Sequence, residues 1–345
     1  MRSFKKSVTM IIAAFSFLFL IFDTRGAVAG AQEGLQLCIR TLIPSLFPFF
    51  VISGFFCNVC ATTRLSILKP VLRLCGMPDG SDSLFIIGML GGYPVGAKSI
   101  ADAYRDGQID SKDARRMLGF CSNAGPAFVF GIIGAYFEAH HIPWAILGIL
   151  ILSAILTGWL LPQRSNGNLV HFKPQSVNFI KLFQNSLTAI ASVCGWVILF
   201  RILISILNRW ILWIFPNAFQ IALTGVLELS NGCIALDMIA NDGARFIIST
   251  GLLSFGGLCV YLQTVSVTGN LGTGFYFPGK ILQCAISLVL SILMQHFLFS
   301  AGNRTPLTII IVPAFLIIVV LALLKMQNNK ITVAIPQELM YNTGN

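Results

Sequence analysis

Residues 91–99 have the sequence GGYPVGAKS, which comes close to the phosphate-binding loop GxxxxGK[ST]. In that loop the lysine directly follows the second glycine, so that it can fold back over the phosphates. Here Ala97 separates Gly96 from Lys98, and the flanking residues do not resemble the buried strand of a soluble α/β domain. We therefore interpret the glycines and the proline as a tight turn and not as a nucleotide site.

The same turn could serve an anion in another way. If a helix begins near Gly96 inside the membrane, its free N–H groups and the positive end of its dipole favour an anionic group. Lys98 would add a full positive charge to such a site. The alternative for Lys98 is a surface position, in which the side chain extends until its ammonium reaches water.

Glu228 lies in the apolar sequence VLELSNG, residues 226–232. A carboxylate inside a membrane is costly and marks a functional site by default. We expect Glu228 to bind a coupling cation, H⁺ or Na⁺. A structural ion pair with Arg201 or Arg245 is the alternative.

Hydroxyl and amide side chains cluster where glycine or proline interrupts the apolar sequence. Such groups can replace the water around a polar solute, and they also join helices to one another in membranes. The candidate substrate-binding residues are Gly92, Pro94, Gly96, Lys98, Ser122, Asn123, Gly125, Pro126, Ser230, Asn231, Gly232, Ser266, Thr268 and Asn270.

The sequence contains neither HExxH nor GxSxG, the patterns of zinc proteases and of serine hydrolases. His140 and His141 are adjacent in a short predicted loop, which is a weak signal for a metal. The cysteines mostly lie in apolar runs, where free thiols behave as small hydrophobic groups. We expect no enzymatic activity, no metal site and no cofactor.

The composition indicates a polytopic membrane protein. Of 345 residues, 56% are hydrophobic and 10% are charged, and the mean hydropathy is +0.81, whereas soluble domains carry about 25% charged residues. Most of the 23 lysine and arginine residues fall on segments predicted to be cytoplasmic, as the positive-inside rule requires. The net charge of +10 is thereby explained without a nucleic-acid partner, and both termini are predicted to be cytoplasmic.

We predict an all-α fold with about eight transmembrane helices. The uncharged runs are residues 7–22, 41–61, 117–137, 142–163, 182–200, 246–279, 281–295 and 305–324. Two shorter, glycine-containing stretches, 84–97 and 217–242, are predicted to be re-entrant hairpins. The runs 117–137 and 246–279 are predicted to be helices that break at 122–126 and 266–270, because Pro126 and the glycines there disfavour helix.

The order span, hairpin, broken helix and span occurs twice. Each half has three crossings, so the second half is predicted to be inverted relative to the first, as in many secondary transporters. The predicted organisation is an N-terminal helix in residues 1–30, repeats in 31–162 and 177–303, a cytoplasmic linker in 163–176, and a C-terminal helix with a cytoplasmic tail in 304–345. Cleavage of the first helix as a signal peptide stays open.

Residues 92–131, GYPVGAKSIADAYRDGQIDSKDARRMLGFCSNAGPAFVFG, resemble the YlbJ-type sporulation integral membrane protein family. PSLFPFF at 44–50 and LELSNG at 227–232 are similar to two further motifs of this family. The family carries nucleoside recognition, or Gate, domains and is similar in plan to concentrative nucleoside transporters. The resemblance assigns roles to Gly92, Pro94, Gly96, Lys98, Asn123, Gly125, Pro126, Glu228, Asn231 and Gly232.

The resemblance implies a protein of spore maturation, located in the cell membrane or in the outer membrane of the forespore. Its implied cargo is dipicolinate, a small aromatic dicarboxylate. We therefore expect a secondary transporter of a small anionic or polar metabolite that works by alternating access and has a small solute and the lipid bilayer as partners. A nucleoside-type transporter and a non-transporting assembly factor of the spore envelope are the alternatives, and self-association stays open.

Overall fold

The computed structural model describes residues 20–62, 68–162 and 179–299, and this part of the chain consists of helices and loops without a β-strand. The first half contains α1 (Thr24–Leu37), α2 (Ile43–Thr62), α3 (Lys69–Leu74), α4 (Asp82–Leu90), α5 (Val95–Arg105), α6 (Ser111–Met117), α7 (Pro126–Gly131) and α8 (Ile142–Leu160). The second half contains α9 (Phe179–Trp210), α10 (Asn217–Leu227), α11 (Leu229–Ala235), α12 (Asp242–Phe255), α13 (Gly257–Thr268) and α14 (Tyr276–Phe299). The predicted all-α class is confirmed.

Among the described residues, five helical segments are long and apolar enough to cross a membrane: Thr24–Ile52, Ile142–Leu160, Phe179–Trp210, Asp242–Leu271 and Tyr276–Phe299. They confirm a polytopic membrane protein. The run 117–137 contains only a shorter apolar helix, Pro126–Tyr136. The predicted crossing at 305–324 and nearly all of that at 7–22 lie outside the described residues, as does the linker at 163–176 apart from its boundaries.

The helices divide into central and peripheral ones. Most of α8 is buried, whereas α9 and α14 expose apolar side chains such as Leu199 and Val289, which suits contact with lipid. Trp144, Trp210 and Trp213 are exposed near the ends of α8 and α9. Tryptophan is enriched at the two surfaces of a membrane, so these residues agree with a transmembrane position of both helices.

The long helix α9 packs against α1 through small residues. The π-helical segment Cys38–Leu42 joins α1 to α2, so the chain is helical through residue 30, where the predicted domain boundary lies. A Cβ on Gly30 would lie 3.0 Å from the Cα of Ile202, and one on Gly34 would lie 3.0 Å from the Cα of Ile198. Glycines four residues apart allow two membrane helices to approach this closely.

The first helix pair, α4 and α5, is seated on a non-helical segment between α6 and α7. We call residues 118–125 the first break. The carbonyl oxygen of Cys121 enters between the two arms: a Cβ on Gly88 would overlap it, and a Cβ on Gly96 would lie 2.8 Å from it. The backbone N–H of Asn123 donates to the carbonyl of Gly88 at 3.3 Å. The tip of the pair, residues 91–94, therefore lies directly on the first break.

The second helix pair, α10 and α11, repeats this arrangement in the second half of the chain. Its two arms touch at Gly225 and Gly232, where a Cβ on Gly232 would overlap the Cα of Gly225. Gly256 and Gly257, which we call the second break, separate α12 from α13 and have φ angles of 81° and 84°. A Cβ on Gly257 would lie 3.1 Å from the carbonyl oxygen of Val226. Each half thus has a helix pair packed on a break, although the placement of these pairs as re-entrant hairpins stays a prediction.

The helix predicted to break at residues 266–270 is interrupted at two places: α13 ends at Thr268, where Gly269 has a positive φ, and a further break lies earlier in the run. Ser266 and Thr268 belong to α13 and donate their hydroxyls to the carbonyls of Gln263 and Val265, a bond pattern that a helix accommodates. The chain leaves helical geometry near the middle of this span at Gly256 and Gly257, since two glycines can adopt positive φ angles in succession. Asn270 lies in the short 3₁₀ turn at the end of the span.

The two halves of the chain meet at the breaks. The hydroxyl of Tyr93, in the tip of the first pair, donates to the carbonyl of Leu253 at 3.3 Å. A Cβ on Gly256 would lie 3.1 Å from that hydroxyl. Tyr93 of the first half therefore fills the space beside the second break.

Arg116 of α6 fixes the end of the central helix α8. Its side chain is buried, and its guanidinium donates to the carbonyls of Gly158 at 2.5 Å, Pro162 at 2.9 Å and Gly76 at 3.1 Å. The last carbonyls of a helix have no partner within it, so Arg116 supplies donors that water would supply at an exposed end.

Replacing Arg116 by methionine is expected to destabilise the protein by about 3 kcal/mol, because several buried carbonyl oxygens would lose their donors. The free energy can be measured by denaturant titration of the purified protein in mixed micelles. Lys112→Met is the matched control, since Lys112 lies on the same helix and is exposed. Equal destabilisation by the two substitutions would contradict this role.

Replacing Gly257 by alanine tests the packing of the second break on its helix pair. The substitution should cost about 2–3 kcal/mol, of which the positive φ accounts for about 1 kcal/mol and contact with the Val226 carbonyl for the rest. Gly272→Ala is the control, because Gly272 has a φ of 71° but no atom within 4 Å of an added Cβ. If both variants lose the same stability in the same titration, the contact contributes nothing.

Candidate functional site

A lysine lies buried where the two halves of the chain meet. Lys280 of α14 is 1% exposed, and its Nζ donates to Asn123 Oδ1 at 2.9 Å and to Gln283 Oε1 at 2.8 Å. The ammonium lies 5.2 Å from the ring centre of Tyr93 and 5.9 Å from that of Tyr276, within the range of cation–π attraction. We call these five residues the Lys280 cluster.

Each amide of the Lys280 cluster is held by a second contact. Asn123 Nδ2 donates to the carbonyl of Phe120 at 2.8 Å, which keeps Oδ1 directed at the lysine. Gln283 Nε2 donates to the carbonyl of Leu150 at 3.3 Å and to Ser153 Oγ at 3.4 Å, both on the central helix α8. The cluster therefore joins the first break to α8 and α14.

Some polar groups in and beside the Lys280 cluster have no hydrogen-bond partner or counter-charge among the described residues. Within the described ranges, Lys280 makes no ion pair with a carboxylate. The hydroxyls of Ser122, which precedes Asn123, and of Tyr276 are buried without a hydrogen-bond partner. Thr264 lies close to Tyr276, but its own hydroxyl donates to the carbonyl of Val260 at 2.9 Å.

A second polar cluster surrounds Glu228, which forms the tip of the second helix pair and is 2% exposed. Its Oε1 accepts from the backbone N–H of Ser230 at 2.9 Å, and its Oε2 accepts from the backbone N–H and the Nδ2 of Asn231, each at 2.7 Å. The carboxylate thus caps the N-terminus of α11, whose first N–H groups have no partner within the helix.

Asn231 connects Glu228 to Arg201 of α9. The guanidinium of Arg201 donates to Asn231 Oδ1 at 2.9 Å and pairs with the carboxylate of Glu33 at 2.7 Å. Arg245 instead pairs with Asp242 at 2.9 Å. In the described structure neither arginine contacts Glu228 directly, so the ion pair considered as the alternative role of Glu228 is not formed. We call Glu33, Arg201, Glu228, Ser230 and Asn231 the Glu228 cluster.

A cavity of about 570 Å³ opens beside the Glu228 cluster. Arg201 and Asn208 of α9, Gln220 and Thr224 of α10, Asn231 of α11 and Asp237 after it contribute its polar lining. Ligand pockets typically have volumes of about 300–1,000 Å³. Amide, hydroxyl and guanidinium groups in a space of this size can bind a small solute that carries oxygen and nitrogen atoms.

The structure divides the predicted site residues between these two clusters. Gly92, Pro94, Gly96, Ser122, Asn123, Gly125 and Pro126 lie at the first helix pair and the first break, whereas Ser230, Asn231 and Gly232 lie with Glu228 on the second pair. Lys98, Ser266 and Asn270 are exposed, and Thr268 ends α13 away from both breaks. The buried lysine is Lys280 and not Lys98.

Lys280 and Arg201 were not among the predicted binding residues, although the sequence contains a signal for the former. Lys280, Gln283, Ser287 and Ser291 follow one another at helical spacing in an otherwise apolar segment, and all four are buried. A polar stripe of this period indicates a helix face that is directed into the protein. The positive-inside rule treats a lysine near the end of a span as a surface residue and so hides this signal.

Comparison with known proteins gives one informative result. No family model and no solved structure matches the chain. The chain is 24% identical over 350 residues to the sporulation integral membrane protein YlbJ of Bacillus subtilis (strain 168), with 86% of this chain and 85% of that protein covered. The nucleoside recognition domain stays a prediction. The similarity along most of both chains supports the placement of this protein in the YlbJ-type sporulation integral membrane protein family.

Proposed function

We propose that this protein is a secondary transporter that moves a small anionic or polar solute across a membrane by alternating access. The observation that carries the proposal is the cavity that ends at Asn231, the residue that binds Glu228 at the interruption between α10 and α11. Transporters of this kind form their solute and ion sites at interrupted helices. The proposal assigns the chain no catalysed reaction and no cofactor.

The lining of the cavity supports a polar or anionic solute. Arg201 supplies guanidinium N–H donors, although its charge is paired with Glu33, and Asn208, Gln220 and Asn231 supply amide groups that can both donate and accept. Dipicolinate is the first candidate, because the family resemblance implies it and the relative is a sporulation protein. Nucleosides are the second group of candidates. The outer membrane of the forespore is the corresponding location.

The two helix pairs and their breaks form the mobile part in this proposal. Each helix pair packs on its own break through backbone contacts, at Gly88 and Gly96 in the first half and at Gly257 in the second. Each pair and its break would therefore move together. The long helices α1, α2 and α9 supply the frame. Movement of the second pair against α9 would change the contact between Asn231 and Arg201, and with it the access to Glu228.

Glu228 is the coupling residue in this proposal. Its carboxylate is the negative charge at the interruption of the second helix pair, and it connects through Asn231 to the cavity. A proton or a sodium ion bound there would neutralise the carboxylate and weaken its hold on the N–H groups of α11. A gradient of that ion would then drive the movement of the solute.

Replacing Glu228 by glutamine is expected to reduce gradient-driven uptake of dipicolinate at least about tenfold, which corresponds to about 1.4 kcal/mol. The purified full chain would be reconstituted into liposomes, and uptake measured under an imposed pH or sodium gradient. Glu138→Gln is the matched control, because Glu138 is exposed in a loop. The thermal midpoint of each variant shows whether the fold is retained.

Uptake by folded Glu228→Gln at the wild-type rate would contradict the coupling role. A wild-type protein that takes up neither dipicolinate nor nucleosides under any gradient would contradict the transport function itself. The non-transporting assembly factor would then be the better explanation for the similarity to a sporulation protein.

A further inference from the structure

In its ammonium form, Lys280 has no counter-charge among the described residues around it. Its two hydrogen-bond acceptors are neutral amide oxygens, and its other contacts are the faces of Tyr93 and Tyr276. A buried charge without a counter-ion is unfavourable, whereas an ion pair with further hydrogen bonds is tolerated. The ammonium form of Lys280 would therefore be stabilised by an anionic partner.

Arg201, the basic residue of the Glu228 cluster, is in a different environment. Its guanidinium pairs with Glu33 at 2.7 Å and donates to Asn231, and its side chain is 30% exposed. The charge of Arg201 is therefore compensated within the protein and partly solvated. Of Arg201 and Lys280, only Lys280 lacks a carboxylate partner within the described structure.

The buried hydroxyls of two residues in the segments around Lys280 make no hydrogen bond within the described part of the chain. Ser122 precedes Asn123, whose side chain binds the lysine, and Tyr276 lies one helical turn before Lys280 with its ring 5.9 Å from the ammonium. The Cα of Ser122 lies 3.3 Å from the position of a Cβ on Gly96, at the start of α5. Buried hydroxyls normally find a partner. Both hydroxyls therefore belong to segments that meet at Lys280.

We propose that the Lys280 cluster is the site where the anionic group of the transported solute binds, with the Lys280 ammonium as its counter-charge and the hydroxyls of Ser122 and Tyr276 as donors. This inference rests on the proposed transport function and adds the residue that selects a carboxylate over a neutral group. Lys280 is 1% exposed in this conformation, so the solute reaches it when the tip at residues 91–94, which contains Tyr93, moves away from α14.

Binding to the purified full chain tests this inference without requiring transport. The probes are dipicolinate, its neutral diamide, and uridine, each measured by calorimetry and by the shift of the thermal midpoint. Lys280→Met should weaken dipicolinate binding at least about tenfold and leave the diamide unchanged. Lys280→Arg should retain more of the affinity for dipicolinate than Lys280→Met, because it keeps the charge. Lys112→Met is the control for an exposed lysine.

A second variant supplies the missing counter-ion from within the protein. Gln283 Oε1 lies 2.8 Å from the ammonium, whereas the amide nitrogen makes only longer contacts of 3.3 and 3.4 Å. In Gln283→Glu a carboxylate would therefore lie against Lys280. This variant should raise the thermal midpoint without solute and weaken dipicolinate binding at least about tenfold. It remains informative if Lys280→Met does not fold.

Several results would overturn the inference. One is wild-type affinity for dipicolinate in both Lys280→Met and Gln283→Glu. Another is a loss of dipicolinate affinity in Lys98→Met but not in Lys280→Met. Retained affinity with a lost pH dependence in Lys280→Met would assign proton transfer to this lysine. Binding of uridine but not of dipicolinate by the wild-type protein would overturn the inference and leave the transport function standing. If the wild-type protein binds none of the three probes, both the inference and the proposed transport function are contradicted.

Discussion

The structure depends on one constraint. Where the chain leaves helical geometry among apolar helices, its backbone N–H and C=O groups need hydrogen-bond partners. An N–H or C=O group without a partner is costly in such surroundings. Each break therefore packs against the arms of a helix pair: the carbonyl of Cys121 enters between Gly88 and Gly96, and Gly257 contacts the carbonyl of Val226. Because a side chain at these glycines would prevent the contact, the breaks and the helix pairs form units that cannot separate without exposing backbone.

Glu228 shows how this constraint is linked to function. Its carboxylate accepts the first backbone N–H groups of α11, so it solves a structural problem at the same place where a transporter needs an ionisable group. A neutral glutamine can accept on only one atom and would leave donors less well satisfied. The structural role and the proposed coupling role of Glu228 would therefore rest on one set of hydrogen bonds, and a measurement on folded protein separates them.

The sequence was sufficient for the class of the fold and for the position of the first helix pair and its break. Composition determined the membrane class, and glycine and proline between residues 91 and 126 located the first helix pair and its break. The break at Gly256 and Gly257 was not predicted, because the prediction relied on the polar residues Ser266 and Thr268, whose hydroxyls bond to the preceding turn near the end of α13. Two consecutive glycines, Gly256 and Gly257, were the stronger indication of a break, because glycine adopts positive φ angles readily. Lys280 was missed for a different reason, because its burial depends on packing between distant segments.

The positions of the two charged clusters give the proposed transport a physical basis. Tyr93 of the Lys280 cluster contacts Gly256, and the adjacent Gly257 contacts Val226, two residues before Glu228. The Lys280 cluster and the buried Glu228 carboxylate are thus connected through the second break by two contacts, that of the Tyr93 side chain with Gly256 and that of Gly257 with the Val226 carbonyl. A solute anion that draws Tyr93 and the first tip away from α14 would remove the group that fills the space beside Gly256. Since Gly257 is packed against the second helix pair, such a change would alter the support of Glu228. Coupling between solute and ion would then require no long-range pathway, because both act on the same pair of glycines.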